Sequence, residues 1–235
     1  MPKCALLGWL PLLLAALSCE TWAQEGLKSE QALPSRYEYV AQDVLKFCQP
    51  ARGFWVDLGA GRGGVALALV KAVGNPVVMV DPNAESLAEG LTAAREEGLA
   101  EKLSAVIGKA EALPFPDGTV DLLVSRGSIF FWDNPAKGLQ EVRRVLRPGG
   151  HAYIGGGAGS GYPKDAVEKL IGGRQDNLQG DEAEKWRRFV ELRRPEQMRA
   201  WAEAAGLEHF EVLGRGAVED DPRVGQGVWL LFKKH

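Results

Sequence analysis

Apolar residues recur along this chain in two rhythms, and the rhythms take turns. Tyr37, Val40, Val44, Leu45 and Phe47 fall at helical spacing and stop before Pro50. Gly53 to Leu58 then reads as a first strand. Gly63 to Val73, rich in Ala and Leu, reads as a helix closed by Gly74-Asn75-Pro76. Val77 to Val80 is a second strand, and Ala84 to Glu97 a second helix with Gly98 as its stop. Ser104 to Ile107 and Val120 to Ser125 are the third and fourth strands. Pro135 to Leu146 is a helix ended by Pro148-Gly149-Gly150, and His151 to Ile154 is the fifth strand. After a helix at Pro195 to Ala205, strands at Phe210 to Leu213 and Val228 to Phe232 close the chain.

Strands that alternate with helices form a parallel sheet covered on both faces. The expected fold is therefore α/β and doubly wound, with a mostly parallel seven-stranded, Rossmann-like sheet. The last two strands have no helix between them, so they predict an antiparallel edge strand. The stretch from Gly155 to Arg194 departs from the rhythm. It opens with Gly155-Gly156-Gly157-Ala158-Gly159-Ser160-Gly161, read as a flexible run. Two short helices follow, near Asp165 to Leu170 and Asp181 to Leu192. A helical insertion after strand five can cover a pocket, with 158–194 as the substrate cover, or it can simply embellish the packing.

The first 23 residues follow neither rhythm. Lys3, the apolar run Leu6 to Leu17 and the small residues up to Ala23 have the shape of an export signal, removed or kept as an anchor. The run is shorter than the ~20 apolar residues of a membrane span. Ala16-Leu17-Ser18-Cys19 is a loose lipoprotein-type site. The expected organisation is a leader at 1–23 and one domain at 24–235. Use of the leader would place the protein in the periplasm or hold it at a membrane through its N-terminus; the other reading is a buried N-terminal segment, with the protein cytoplasmic.

Composition narrows the function. With 235 residues, 46% of them hydrophobic and 25% charged, the chain can build one well-cored domain. A net charge of -3 gives no general basic surface for nucleic acid. Cys4, Cys19 and Cys48 are too few and scattered for a zinc site or a disulfide framework, so no metal is expected.

The chemistry concentrates after strand one. In Val56-Asp57-Leu58-Gly59-Ala60-Gly61-Arg62-Gly63 an apolar strand runs into a glycine loop that opens a helix. Such a loop lets a ligand approach the backbone closely. A diphosphate would be repelled by Asp57, whereas a cationic or amino-bearing ligand would not. Asp81 follows about 20 residues later, at the end of strand two, where a carboxylate can accept both hydroxyls of a ribose. A turn residue before Pro82 is the other reading of Asp81.

With these residues in view, the chain resembles the class I S-adenosylmethionine-dependent methyltransferases, in the broad group that includes the ubiquinone and menaquinone enzymes. The resemblance runs from about Tyr37 to Phe232. It also rests on Val80-Asp81-Pro82-Asn83, Gly108-Lys109-Ala110-Glu111-Ala112-Leu113-Pro114-Phe115-Pro116-Asp117-Gly118, Val120 to Ser125, and Glu141 to Gly150. It implies S-adenosylmethionine as cofactor, held at its methionine end by Asp57, Gly59, Ala60 and Gly61. Asp81 and Pro82 would take the ribose, and Ala110 and Glu111 would flank the adenine. Ser125 and Arg126 would lie beside the methyl group. Lys109 stands where relatives often carry aspartate, so Glu111 is the substitute acceptor for the adenine amine, and Lys109 reads as a surface lysine.

Ser125 to Asp133 is the expected acceptor wall, with Arg126 and Trp132 positioning the acceptor. Phe130 and Phe131 read equally as wall or core. The acceptor is a small molecule that is aromatic, lipid-like or anionic. Arg187, Arg188, Arg193 and Arg194 make either a solvated helix face or a site for an anionic acceptor. His151 and His209 read as structural. A binding module without turnover is the alternative function, since an exported protein lacks an obvious supply of a cytosolic cofactor.

Overall fold

Trp55–Leu58 forms β1, and its side chains divide between two cores. Val56 and Leu58 face one side, Trp55 and Asp57 the other, as the two-residue strand period requires. The structure is a computed structural model; it describes residues 34–166, 184, 191–214 and 227–235. The leader expected at 1–23 and nearly all of the tail to Pro34 lie outside the described residues. Among the described residues no helix is long and apolar enough to cross a membrane.

The elements follow in order: α1 (Arg36–Cys48), β1 (Trp55–Leu58), α2 (Gly64–Val73), β2 (Val77–Asp81), α3 (Ala84–Glu96), β3 (Leu103–Ile107) and β4 (Val120–Arg126). Then come α4 (Pro135–Val145), β5 (Leu146–Gly157), α5 (Pro195–Ala204), β6 (Phe210–Gly214) and β7 (Gly227–Lys233). Helix caps explain several boundaries. The Asn83 side chain accepts from Ser86 N–H to start α3, and Asn134 accepts from Lys137 N–H to start α4, which carries Pro135 in its first turn.

The strands order as β3-β2-β1-β4-β5-β7-β6 in one seven-stranded sheet. All pairings are parallel except β5–β7 and β7–β6. The antiparallel pair closes one edge as the sequence predicts, and the strand running against the others is β7, one place in. α1, α2 and α3 cover one face through Val44, Leu69 and Leu87. α4 and α5 cover the other through Leu139, Val142 and Met198. The chain leaves β1 to one side for β2 and β3, then returns to its other side for β4. That reversal opens a crevice at the carboxyl ends of β1 and β4, where ligands of such sheets bind.

The glycine run after the fifth strand is not flexible at its start. Gly155, Gly156 and Gly157 extend β5 and pair with Trp229, Val228 and Gly227. The two backbones approach so closely that a Cβ on Gly155 would lie 2.0 Å from the Val228 carbonyl oxygen. The glycines are there for close approach, which composition alone cannot distinguish from flexibility. Beyond them, the buried Asp43 on α1 accepts hydrogen bonds from Ser160 N–H (2.6 Å) and from the Ser160 hydroxyl. Tyr39 packs edge-on against Tyr162, with ring centroids 5.3 Å apart. The first residues of the supposed cover are thus fastened to α1. Its two expected helices, Arg187 and Arg188 lie outside the described residues, apart from 165–166, Glu184 and 191–192.

A second set of contacts braces the segment after β3. Arg144 on α4 donates to Glu141, Asp117 and the Leu113 and Phe115 carbonyls, and Glu141 accepts from Leu113 N–H. Arg144 in turn holds the Glu141 carboxyl below its ordinary range. This network sets the position of the Ala110–Leu113 turn, which forms one wall of the crevice.

Candidate functional site

The loop between β1 and α2 has its shape because three glycines adopt positive φ: Gly59 (68°), Gly61 (53°) and Gly63 (74°). Gly59 N–H and Ala60 N–H both donate to the Val80 carbonyl of β2, at 2.7 and 3.1 Å. Asp81, at the end of β2, receives Gly61 N–H on one oxygen and Asn83 N–H on the other, each at 2.8 Å. A carboxylate oxygen has two acceptor sites, so each Asp81 oxygen keeps one for a ligand. Asp81 therefore caps the turn before Pro82, and its side chain also faces the crevice.

The crevice holds a cavity of about 490 Å³. Gly59, Asp81, Pro82, Ala110 and Glu111 line it, as do Arg126 and Trp132, so seven of the residues expected from sequence come together there. Asp57, Ala60, Gly61 and Ser125 do not line it. Gly61 contributes its amide to Asp81. Asp57 is 2% exposed and lies beneath the loop, where it accepts from Ala66 N–H (3.0 Å) and so satisfies one of the orphan donors of the α2 N-terminus.

Burial raises the Asp57 carboxyl to about 7. The Ala66 N–H and Arg126 oppose this, and Asp81 adds to it. The unfolded carboxyl titrates at its ordinary 3.8, so the folded protein holds this proton more tightly. On account of this group, stability is highest below about pH 4 and falls as pH rises toward about 7. Asp57→Asn removes that slope. Urea melts from pH 4.5 to 8 are expected to show the variant gaining on the parent as pH rises. A parent that gains on the variant over the same window would contradict the placement of Asp57.

Ser128, expected only as part of the acceptor wall, is a junction. Its hydroxyl donates to the Leu58 carbonyl (3.2 Å), receives the Trp132 indole N–H (3.0 Å) and lies 2.6 Å from the Ser125 hydroxyl. One donor and two acceptor sites account for all three contacts if Ser125 donates. Ser125, 1% exposed, is therefore a strut behind the wall. Gly138 on α4 supplies a seat for Trp132, since a Cβ there would lie 2.4 Å from the indole ring. Ser128→Ala leaves the Trp132 N–H and Ser125 without this partner. A loss of about 1–3 kcal/mol in stability is expected, with a change in tryptophan emission. A loss below about 0.5 kcal/mol would show that the junction does not bear on the fold.

The aromatic pair after β4 divides. Phe130 is core, 7% exposed and beside Trp201, whereas Phe131 lines the cavity at 72% exposure. Lys109 is an exposed lysine as expected, and it also lines the cavity mouth, paired to Asp133 at 3.1 Å. Glu111 accepts from Asn134 N–H (3.0 Å), which ties this wall to the turn before α4.

Arg126 is half-buried. It donates from Nε to the Gly157 carbonyl (2.9 Å), and its guanidinium lies 5.1 Å from the Tyr37 ring centre. Burial lowers it to about 10, and Arg36 and Arg193 push in the same direction. Tyr37 and Arg36 carry no local signal for this site, because they lie some 90 positions before Arg126 on α1. His151, His209 and Lys233 line a separate cavity of about 470 Å³ near the start of β6 and the end of β7, away from the crevice. Among the described residues no cluster could hold a metal ion.

Residues 56–154 match the family model of a methyltransferase domain. A 2-methyl-6-phytyl-1,4-hydroquinone methyltransferase of Oryza sativa subsp. japonica is 40% identical over 100 residues, 42% of this chain and 28% of the relative. Its Spinacia oleracea counterpart is 36% identical over 158 residues, 67% of this chain and 40% of the relative. A ubiquinone/menaquinone biosynthesis C-methyltransferase of Hydrogenovibrio crunogenus is 35% identical over 101 residues, covering 42% and 40%. The chain thus spans well under half the length of these curated relatives. Among solved structures, a candidate S-adenosyl-L-methionine-dependent methyltransferase of Methanococcus maripaludis superposes with a TM-score of 0.71 at 23% identity, covering 92% of both chains. A SAM-dependent methyltransferase from Aquifex aeolicus reaches 0.60 at 21% identity, covering 85% of this chain and 92% of the other. These two likenesses are of fold.

Proposed function

We propose that this chain, which belongs to the class I S-adenosylmethionine-dependent methyltransferases through its domain at residues 56–154, moves a methyl group from S-adenosylmethionine to a small-molecule acceptor. The observation that carries the proposal is the Asp81 carboxylate. It stands at the carboxyl end of β2, holds the glycine loop by one amide, and keeps acceptor capacity toward the cavity. A ribose diol can donate to both oxygens of one carboxylate, and each Asp81 oxygen keeps an acceptor site beside its backbone contact. The cavity volume also falls in the range of small-molecule sites, about 300–1,000 Å³.

S-adenosylmethionine, when bound, supplies an electrophilic methyl group on a sulfonium. The protein's share of the work is then placement. Asp81 and Pro82 hold the ribose, and the Ala110–Glu111 turn flanks the base. Gly59 lets the backbone come close to the ligand. Trp132, fixed by Ser128 and Gly138, and the exposed Phe131 offer flat apolar surface to the acceptor. Direct displacement depends chiefly on alignment of the two partners. A hydroquinone-type ring is the acceptor we favour, supported by the names of the relatives and by this aromatic wall.

Incubation with methyl-labelled S-adenosylmethionine and a panel of hydroquinones tests the proposal, read as S-adenosylhomocysteine formed. Acceptor-dependent product is the expected result. Tight binding with no product across the panel would favour the module without turnover, and no binding would end both readings. The leader at 1–23 is proposed to export or anchor the protein. N-terminal sequencing of the mature chain that begins at Gln24 would agree with cleavage, and an intact Met1 on a cytosolic protein would refute export.

A further inference from the structure

Ser128 stands between the two halves of the crevice. It lines the cavity, and its bonding partners belong to opposite walls. On one side is the floor of the glycine loop. The Ser128 hydroxyl donates to the carbonyl of Leu58, the residue before Gly59, and a Cβ on Gly59 would fall 2.1 Å from Ser128 Cβ. On the other side is the aromatic wall, where the same hydroxyl receives the Trp132 indole N–H at 3.0 Å. One side chain thus joins the surface assigned to the cofactor to the surface assigned to the acceptor.

The hydroxyl has nothing left over for a ligand. Its single proton goes to Leu58, and its two acceptor sites are taken by Trp132 and, with Ser125 donating, by the Ser125 hydroxyl 2.6 Å away. That count leaves no site for a bond to the acceptor or for a transferred proton. What remains is placement. The Trp132 indole is held at two ends. Its benzo edge, Cε3 and Cζ3, rests where a Cβ on Gly138 would lie 2.4 and 2.7 Å away, and its pyrrole N–H is held by Ser128. Phe131 N–H donates to the Ser128 carbonyl at 2.9 Å, so the backbone of this turn is closed without the hydroxyl. Removing the hydroxyl therefore frees one end of the indole and leaves the other as a pivot.

We propose that Ser128 is a positioning residue for methyl transfer, fixing the plane of Trp132, and with it the acceptor, against the part of the glycine loop on which the cofactor rests. Displacement at a sulfonium methyl needs the attacking atom close and in line, and a misplacement of about 1 Å can cost on the order of 100-fold in rate. The role rests on the methyltransferase reading and deepens it.

Steady-state kinetics of the full chain test it, with S-adenosylmethionine and the best acceptor of the hydroquinone panel. The variants are Ser128→Ala, Ser128→Cys, Trp132→Phe and the Ser128→Ala/Trp132→Phe double. Titration with S-adenosylhomocysteine runs alongside, and thermal melts confirm that each variant is folded at the assay temperature. Ser128→Ala lowers kcat about 30-fold, while KM for S-adenosylmethionine and affinity for S-adenosylhomocysteine stay within about threefold. Ser128→Cys keeps the bulk but offers only a weak sulfur acceptor, and it falls between alanine and the parent. Trp132→Phe has no N–H left to hold, so the double variant stays within about threefold of Trp132→Phe alone. A serine that merely supports the fold gives losses that multiply instead. Multiplying losses, a Ser128→Ala kcat within about threefold of the parent, or a loss confined to KM for S-adenosylmethionine each overturns the role. If Ser128→Ala does not fold, Ser128→Cys takes its place in the same comparison. A parent that forms no product with any hydroquinone ends the methyltransferase reading and this role with it, whereas an active parent with multiplying losses ends the role alone.

Discussion

Asp81→Asn is expected to lower affinity for S-adenosylhomocysteine about 100-fold, the largest binding effect of any single change at this site. The ribose diol would donate two hydrogen bonds to a charged acceptor, each worth about 1.5 kcal/mol or more. An asparagine keeps one oxygen and turns an N–H₂ toward groups that need acceptors. The same swap also disturbs the protein. Gly61 N–H and Asn83 N–H each depend on a separate Asp81 oxygen, and the amide can satisfy only one. Stability should therefore fall by about 1 kcal/mol, a much smaller change than the binding loss. Calorimetric titration beside a urea melt checks both parts. A drop in affinity of less than about threefold would remove Asp81 from the ribose site.

Gly59→Ala is expected to be the most damaging substitution for the fold of the loop. Its φ of 68° lies in the left-handed region, which strains any side chain by about 1–2 kcal/mol. Its Cβ would also fall 2.1 Å from Ser128 Cβ and 2.3 Å from Ser128 Oγ. Ser128 cannot yield cheaply, because it is tied to Leu58, Trp132 and Ser125. Together, strain and overlap should cost about 3 kcal/mol or more, a fall in Tm of roughly 6–12 °C. Gly61→Ala is the control. It shares a positive φ, 53°, and a Cβ there meets nothing within 4 Å, so strain alone remains, about 1 kcal/mol. Thermal melts of the pair distinguish the two causes. Equal losses would show that Ser128 is not a fixed neighbour of the loop.

These two glycines also show how much a sequence can tell. Gly59, Gly61 and Asp81 were legible because a strand, a turn and a second strand must follow one another at short range, and spacing encodes that. The mostly parallel sheet with an antiparallel pair at one edge was legible for the same reason, since strands and helices alternate up to the last two strands; the order of the strands was not. Contacts between distant segments were not. Ser128 meets Leu58 across 70 positions, and Tyr37 reaches Gly64 and Arg126 from a helix whose pattern speaks only of its own buried face. Asp57 was read as a ligand-facing carboxylate from its place before the loop. Strand alternation turns it instead toward α2, and no local pattern says which face of β1 the helix will cover. Gly155 to Gly157 were read as flexible because glycine content has two opposite uses, and only the partner strand reveals which applies.

A crystal structure with S-adenosylhomocysteine tests the central claim most directly. The account predicts ribose hydroxyls on the Asp81 carboxylate, the adenine beside Ala110 and Glu111, and the sulfur directed toward Arg126 and Trp132. A nucleoside bound elsewhere, or an Asp81 that makes only its two backbone contacts while the ligand is present, would contradict it.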